Sequence, residues 1–413
     1  MNKPTADYIR QHADDDIRQL ALQGTKDPDV DLPFALDQIA GRQTARRKLP
    51  SWAAADGIVY PPHLSMEQCS SEQTARYKAA LARRIVGEGF KVKDSGFRIK
   101  GSGFTLVDLT GGFGVDFSFM AQAFQTAVYV ERQASLCDIA RQNFQTLGLT
   151  GTEIVCADAT EYLQRMPHAN LIYIDPARRD SHGQRTYGIS DCTPDVVALR
   201  DQLLAKADCV VIKLSPMLDW RKAVSDIGEP LVSEVHIVSV GGECKELLVV
   251  MKQQPAGALI VYCVNDNSTF TYHPSALSHP PSSLFHHPST ISYLYEPNAS
   301  VMKAGCFAEL AEAFGVSQVG PNSHLFTAPH PVADFPGRTF QVDAVTTLNR
   351  RELRTALAGL SQANITVRNF PLSVAELRRR LKLSEGGSTY IFATTLADKS
   401  HVLLVCRKTS TPK

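Results

Sequence analysis

The turn Asp108-Leu109-Thr110-Gly111-Gly112-Phe113-Gly114-Val115-Asp116 follows directly on the apolar run FTLVDL. Three glycines close together let backbone adopt positive φ and approach a bound molecule closely. A helix expected to follow them presents unpaired N–H groups at its start. Strand, glycine turn and helix in this order mark the edge at which a doubly wound α/β sheet binds its ligands.

The residues around the turn repeat the same alternation. AVYVER, TEIVCAD, ANLIYIDPARR and DCVVIKLSPM read as further strands. Between them lie helices over 117–125, over ASLCDIARQNFQTLGL and around 194–206. SEVHIVSV and KELLVVMKQ close the set, separated by Gly241-Gly242. So short a connection cannot cross over, so these two are expected to be antiparallel. The expectation is a mainly parallel, Rossmann-like α/β sheet of seven strands.

The flanks differ. Residues 1–100 read as a helical domain, broken at Pro50-Ser51-Trp52 and Tyr60-Pro61-Pro62, with Ser70-Ser71-Glu72 able to cap TARYKAALARRIV. The sheet domain takes 101–255. A β-rich segment opens with ALIVYCVN and FTYHP, and YEPNASVMKAGCFAELAEAFG reads as loop then helix; this domain spans 256–338. The last, 339–413, runs β-α-β-α-β-β, with Ser373 and Glu376 placed to cap SVAELRRRLKL.

Charge is uneven. Residues 1–100 carry 16 basic and 13 acidic groups, residues 101–340 carry 15 and 24, and residues 341–413 carry 12 and 5. The overall +1 is therefore the sum of +3, −9 and +7. A basic module tethered to an acidic core suits a polyanionic partner, though a solvated basic surface would read the same way. No apolar run approaches the ~18 residues of a membrane span, and the polar start lacks the apolar core of a signal peptide. The nine cysteines include no CxxC pair, which favours free thiols in a reducing cytoplasm over a disulfide frame or a metal site.

The turn chooses between two cofactor classes. A dinucleotide loop needs G-x-G-x-x-G. Here Gly112-Phe113-Gly114 is followed by Val115-Asp116-Phe117, without a third glycine, and Asp116 stands at the helix start where a pyrophosphate would sit. A zwitterionic methionine end fits better than a diphosphate, with Asp108 able to pair with its ammonium. Glu131 ends the second strand, 17 residues past Gly114, where an acid accepts from ribose hydroxyls. Asp158, followed by Ala159, ends the third, where an acid can take the adenine amino group. The candidate cofactor residues are Asp108, Thr110, Gly111, Gly112, Gly114, Asp116, Glu131, Asp158 and Ala159.

The series LVDLTGGFGVD, VYVE, ADA and IYIDPARR resembles the motif series of class I S-adenosylmethionine-dependent methyltransferases. The stretches YPPHLSMEQCSSEQTARYKA and ANITVRNFPLSVAELRRRLKL extend the resemblance to a little-characterised bacterial family. That family joins a helical N-terminal domain, a methyltransferase domain, a ferredoxin-like insert and a THUMP-like C-terminal module. The resemblance implies S-adenosyl-L-methionine as cofactor and suggests rRNA or tRNA as substrate; from the residues themselves a cytoplasmic protein with neither membrane nor metal is expected.

The fourth strand delivers Asp175-Pro176-Ala177-Arg178-Arg179. Amino-methylating relatives carry (D/N)-P-P-(Y/F/W) here, so Asp175-Pro176 is kept while Ala177-Arg178 replaces proline and an aromatic. Asp175 can orient a nitrogen or oxygen for in-line attack, and an arginine plane can stack on a base or bind phosphate. The catalytic candidates are Asp175, Pro176 and Arg178; the bland alternative is a structural Asp-Pro turn. Lys213, near the end of the fifth strand, and Arg179 are substrate-contact candidates, while Asp180, His182 and Arg185 lie in the loop after the Asp175-Pro176 motif. Cys244 is expected to be packing and not a nucleophile, and His286-His287 to be loop residues and not ligands.

Arg378, Arg379 and Lys382 on the last helix, with Arg380 beside them and Arg350, Arg351 and Arg354 on the one before, make a phosphate-binding patch. Leu377 and Leu381 would pack on the sheet. The favoured function is methylation of an RNA base, with the C-terminal module docking the RNA. A protein or small-molecule methyltransferase, or an RNA-binding protein with a relic pocket, are the alternatives.

Overall fold

A computed structural model describes residues 1–89, 103–178, 188–255, 257–274 and 291–409. Two compact units result, one of Met1–Val235 with Glu246–Ala258, the other of His236–Lys245 with Leu259–Lys413. The expectations for Arg179, Asp180, His182, Arg185 and His286-His287 lie outside the described residues, as does the side chain of Arg178.

The first unit opens with six helices: α1 Lys3–Gln11, α2 Ile17–Gln23, α3 Leu32–Lys48, α4 Pro50–Ala53, α5 His63–Gln68 and α6 Glu72–Gly89. The Pro50-Ser51-Trp52 breaker is itself the short helix α4, because proline is well placed in a first turn where its missing N–H costs nothing. Trp52 is buried there, edge-on to Phe113 of the glycine turn at 4.9 Å between centroids. Ser71 Oγ accepts from the Thr74 N–H at the start of α6. Glu72 Oε2 accepts from both the N–H and Oγ of Ser51, tying α6 to α4.

The sheet strands are β1 Thr105–Asp108, β2 Thr126–Glu131, β3 Thr152–Cys156, β4 Ala169–Ile174, β5 Ala207–Leu214, β6 Val232–Val240 and β7 Glu243–Met251. Their order is β3-β2-β1-β4-β5-β7-β6, and the Rossmann-like sheet they belong to has nine strands, two more than the seven expected, the additional pair lying beyond β6. The β1–β2, β2–β3, β1–β4 and β4–β5 pairs are parallel, and β7 runs antiparallel to β5. Gly241 and Gly242, at φ 60° and 80°, make the tight β6–β7 turn.

The crossover helices are α7 Val115–Met120, α8 Ala134–Thr146, α9 Ala159–Arg165, α10 Arg200–Lys206 and α11 Trp220–Ile227. Of these, α7 starts two residues ahead of the expected 117, directly after Gly114 at φ 84°. The helix expected around 194–206 is confined to α10, because Asp195 Oδ1 caps a separate turn through the N–H groups of Val197 and Ala198. Sheet order reverses between β1 and β4, so the carboxyl ends of β1, β2, β3 and β4 flank the switch point where such sheets bind ligands.

In the second unit β8 Ile260–Asn265 and β9 Ser268–Tyr272 form an antiparallel hairpin. After them come β10 Tyr293–Pro297, α12 Ala299–Ala304, α13 Phe307–Phe314, β11 Ser317–Gln318, β12 Phe326–Ala328, β13 Gly337–Thr346, α14 Arg350–Ala356, β14 Asn364–Arg368, α15 Val374–Leu381, β15 Thr389–Thr395 and β16 His401–Lys408. Seven of these strands form a sheet in the order β11-β12-β10-β13-β16-β15-β14. The YEP that reads as loop is the end of β10, and the helix expected after it is two, α12 and α13, parted by Gly305 in a left-handed cap.

Alternation along β15 and β16 sends Phe392 and Leu404 to one core and Ile391 and Leu403 to another. Leu377 is fully buried in the second core and Leu381 packs against it, so α15 lies on the sheet by its apolar stripe. Its N-terminus carries the capping box expected of Ser373 and Glu376.

Candidate active site

The glycine turn is shaped by its neighbours. The Gly111 N–H bonds the Val130 carbonyl at 2.9 Å, and a Cβ on Gly111 would lie 2.1 Å from the Tyr129 ring. Gly112 (φ 54°) and Gly114 (φ 84°) take backbone conformations that favour glycine. At Gly112 a Cβ would meet nothing closer than the Thr110 carbonyl at 3.9 Å, so the turn leaves open space there. Tyr129 Oη donates to the Gly112 carbonyl.

Acids stand at the four strand ends. Asp108, 1% exposed, accepts the Thr110 N–H at 3.0 Å. Burial pushes its carboxyl well above the ordinary range; that N–H opposes the shift, while Asp116, Asp175 and Glu131 add to it. Glu131 accepts from the N–H groups of Gly112 at 3.0 Å and Gln133 at 2.9 Å. Asp158 caps α9, taking the Thr160 hydroxyl and N–H, which hold its carboxyl below the usual range; Ala159 is the first residue of that helix. The Asp175 N–H donates to Thr110 Oγ1 at 2.6 Å, joining the fourth strand end to the turn. Pro176 is buried after it, and Ala177–Arg178 pairs antiparallel with Cys192–Thr193.

Behind the turn lies a buried ionic cluster. Asp116, at the start of α7, accepts from Ser70 Oγ and Tyr173 Oη on Oδ2, both at 2.8 Å. Lys78 Nζ lies 3.1 Å from Asp116 Oδ1 and bonds both oxygens of Glu246, at 2.7 and 2.6 Å. Lys213 Nζ bonds Asp175 Oδ2 at 2.5 Å and lies 3.9 Å from Asp116 Oδ2. Lys213 thus reaches into carboxylates instead of standing out towards a phosphate.

Burial would raise the Asp116 carboxyl, but Lys78 and Lys213 outweigh it and hold it low. Burial would likewise lower the Lys213 ammonium, but Asp175, Asp116 and Glu246 keep it raised and charged. Burial lifts Glu246 despite its two lysines.

The strand-tip acids that the sequence nominates come together. Lys78, Ser70, Tyr173 and Glu246 were not nominated; the only sequence signal for them is a lysine on the apolar side of α6 and an acid inside the VVM-ending strand β7. Cys244 belongs to the second unit and Asp175 to the first. In the second unit Arg378 donates to the Ala363 carbonyl at 3.2 Å, whereas Arg379, Arg380 and Lys382 are exposed, with Lys382 in the left-handed cap of α15. Arg350, Arg351 and Arg354 are exposed on α14.

The residues present fit a methionine-type cofactor. The cradle is open at Gly112, and the polar groups at the strand ends are acids, which suit an ammonium, a sulfonium, hydroxyls and an amino group but repel a diphosphate. Among the described residues no three His, Cys, Asp or Glu side chains are grouped to hold a metal ion, and no helix is long and apolar enough to cross a membrane.

The THUMP domain-like family matches residues 337–408 and the ferredoxin-like domain of a second family matches residues 293–336. A crystal structure described as a "putative methyltransferase from Porphyromonas gingivalis W83" superimposes with a TM-score of 0.82 at 32% identity, covering 98% of both chains. A Pyrococcus horikoshii structure described as an RNA methyltransferase candidate matches at 12% identity, over 52% of this chain and 100% of its own, with a TM-score of 0.36 too low to carry an argument. No curated protein matches.

Proposed function

Since this chain belongs to the family of that Porphyromonas gingivalis protein, we propose that it is an S-adenosylmethionine-dependent methyltransferase that methylates a base in structured RNA, rRNA or tRNA, in the cytoplasm. The observation that carries the cofactor reading is the set of acids at four successive strand ends around an open glycine turn. Bound there, S-adenosylmethionine would supply an electrophilic methyl group.

This chain's residues would do the rest. Asp108 would meet the ammonium, Glu131 the ribose hydroxyls, and Asp158 with Ala159 the adenine edge, with Thr110, Gly111, Gly112 and Gly114 shaping the cradle. Asp175 would accept a hydrogen bond from the amine or hydroxyl to be methylated and hold it in line. Its second oxygen is engaged by Lys213, which keeps the carboxylate fixed. Buried Pro176 fixes the turn beside it, and Arg178 and Arg179 would flank the acceptor nucleotide. Arg379 and Lys382, exposed on the module that matches the THUMP domain-like family, would contact phosphates, with Arg378 bracing the helix. The domain division that goes with this proposal is 1–100, 101–255, 256–338 and 339–413.

Radiolabelled cofactor incubated with separated cell fractions tests the reading. Label entering RNA and not protein is the expected result. The net −9 of residues 101–340 favours a protein or small-molecule acceptor instead, and label in those fractions would establish that alternative. If S-adenosylhomocysteine produces no thermal shift, the enzyme reading fails.

A further inference from the structure

Lys78 sits on α6 yet ends inside the ionic cluster of the sheet, with its side chain only 1% exposed. Its ammonium has three protons, and Ser70 Oγ at 3.0 Å and the two Glu246 oxygens take hydrogen bonds from it. Asp116 Oδ1 is 3.1 Å away and buried without a hydrogen bond of its own. Glu246, Lys78, Asp116, Lys213 and Asp175 therefore form a file of alternating charge, closed at one end by a carboxylate buried on β7 and at the other by the carboxylate assigned to the acceptor.

Two lysines serve three carboxylates in that file, so removing either cation redistributes the other. Asp116 without Lys78 would keep only the hydroxyls of Ser70 and Tyr173. A buried carboxylate lacking a cation is costly, and the nearest remaining one is Lys213, already 3.9 Å away.

Resting on the methyltransferase reading above, we propose that Lys78 is a positioning residue for methyl transfer: by balancing Asp116 it leaves Lys213 free to hold Asp175. The N-terminal helices are then part of the catalytic apparatus, acting through α6, although none of their residues need touch the substrate. Tyr173 strengthens the link, since its hydroxyl binds Asp116 while its own strand leads directly into Asp175.

The test compares Lys78→Met, Lys78→Arg and the double variant Lys78→Met with Glu246→Gln, all in the full chain. Lys78→Met should lower kcat about ten- to a hundred-fold, as expected for a reacting group displaced by about an ångström, while the KM for S-adenosylmethionine changes by less than about threefold. Lys78→Arg should recover part of kcat. The double variant removes the stranded Glu246 charge and should regain Tm without regaining kcat; kcat recovering in step with Tm would make Lys78 a packing residue and overturn the proposal.

A crystal structure of the double variant decides independently of any acceptor. Lys213 Nζ is expected to have swung from Asp175 to Asp116, and an unchanged Lys213–Asp175 bond would overturn the inference even if methyl transfer had been demonstrated. Conversely, wild-type protein that methylates nothing removes the proposed function, with the crystallographic result still standing by itself.

Discussion

Glu131 Oε2 accepts the backbone N–H of Gly112 at 3.0 Å, so the tip of the second strand braces the glycine turn of the first. Replacing Glu131 by alanine removes that brace together with the group assigned to the ribose. Affinity for S-adenosylhomocysteine should fall at least about tenfold, with about 1–2 kcal/mol lost from folding stability. Titration calorimetry beside thermal melts measures both, and an affinity within twofold of wild type would separate Glu131 from the cofactor.

Asp108 combines its proposed contact with the cofactor ammonium with a cost to stability. Burial raises its carboxyl well above the unfolded value, so the folded protein holds that proton more tightly than the unfolded chain does. Its contribution is therefore full below the ordinary aspartate range and is lost as pH rises through the raised folded value. Asp108→Asn should thus melt higher than wild type near neutral pH, by roughly 2–4 °C for each ~1 kcal/mol relieved, while binding cofactor more weakly because it offers the ammonium no charge. Wild-type cofactor affinity should itself weaken as the solution is acidified through that raised range. A variant that melts lower and binds normally would contradict both halves.

The Thr110 hydroxyl is the acceptor for the Asp175 N–H. Valine there keeps the shape and deletes the acceptor, leaving an N–H unsatisfied at a cost of about 1–3 kcal/mol. Thr110→Val should depress kcat more than cofactor affinity, and Thr110→Ser should behave like wild type. Equal losses in kcat and affinity would mean that Thr110 acts on the cofactor alone.

Two exposed arginines on α15 permit a surface test. Reversing Arg379 and Arg380 to glutamate leaves the buried Leu377 stripe and the Arg378–Ala363 bond in place. RNA affinity should drop, and the slope of log affinity against log salt should shrink by about 1 for each lost phosphate contact. Filter binding across a salt series checks this, and an unaltered slope would move the docking surface elsewhere.

The strand-tip acids were legible because each is a local event: an apolar run ends and a carboxylate follows. The same locality exposed the capping box of Ser373 and Glu376 and the β6–β7 turn at its glycine pair. What escaped is non-local. Lys78 and Glu246 lie 168 residues apart, and nothing near either one announces the other. Tyr295–Pro297 reads as loop because the pairing partners of its strand, Phe326–Ala328 and Gly337–Thr346, come much later in the chain. Trp52 was hidden by Pro50: a breaker by composition, Pro50-Ser51-Trp52 is a helical turn with buried Trp52 packed against the Phe113 ring.

The β6–β7 hairpin crosses between the two compact units, since its tip, His236–Lys245, is counted with the second while its roots belong to the first. The polypeptide therefore passes from one to the other three times, at 235/236, 245/246 and 258/259. A fragment ending at Ala258 would strip the Gly241 N–H of the Asp266 carboxylate that it bonds at 3.0 Å. Neither unit can be inherited, swapped or excised as a single continuous cassette, so any shuffling of the first between proteins has to carry His236–Lys245 of the second with it.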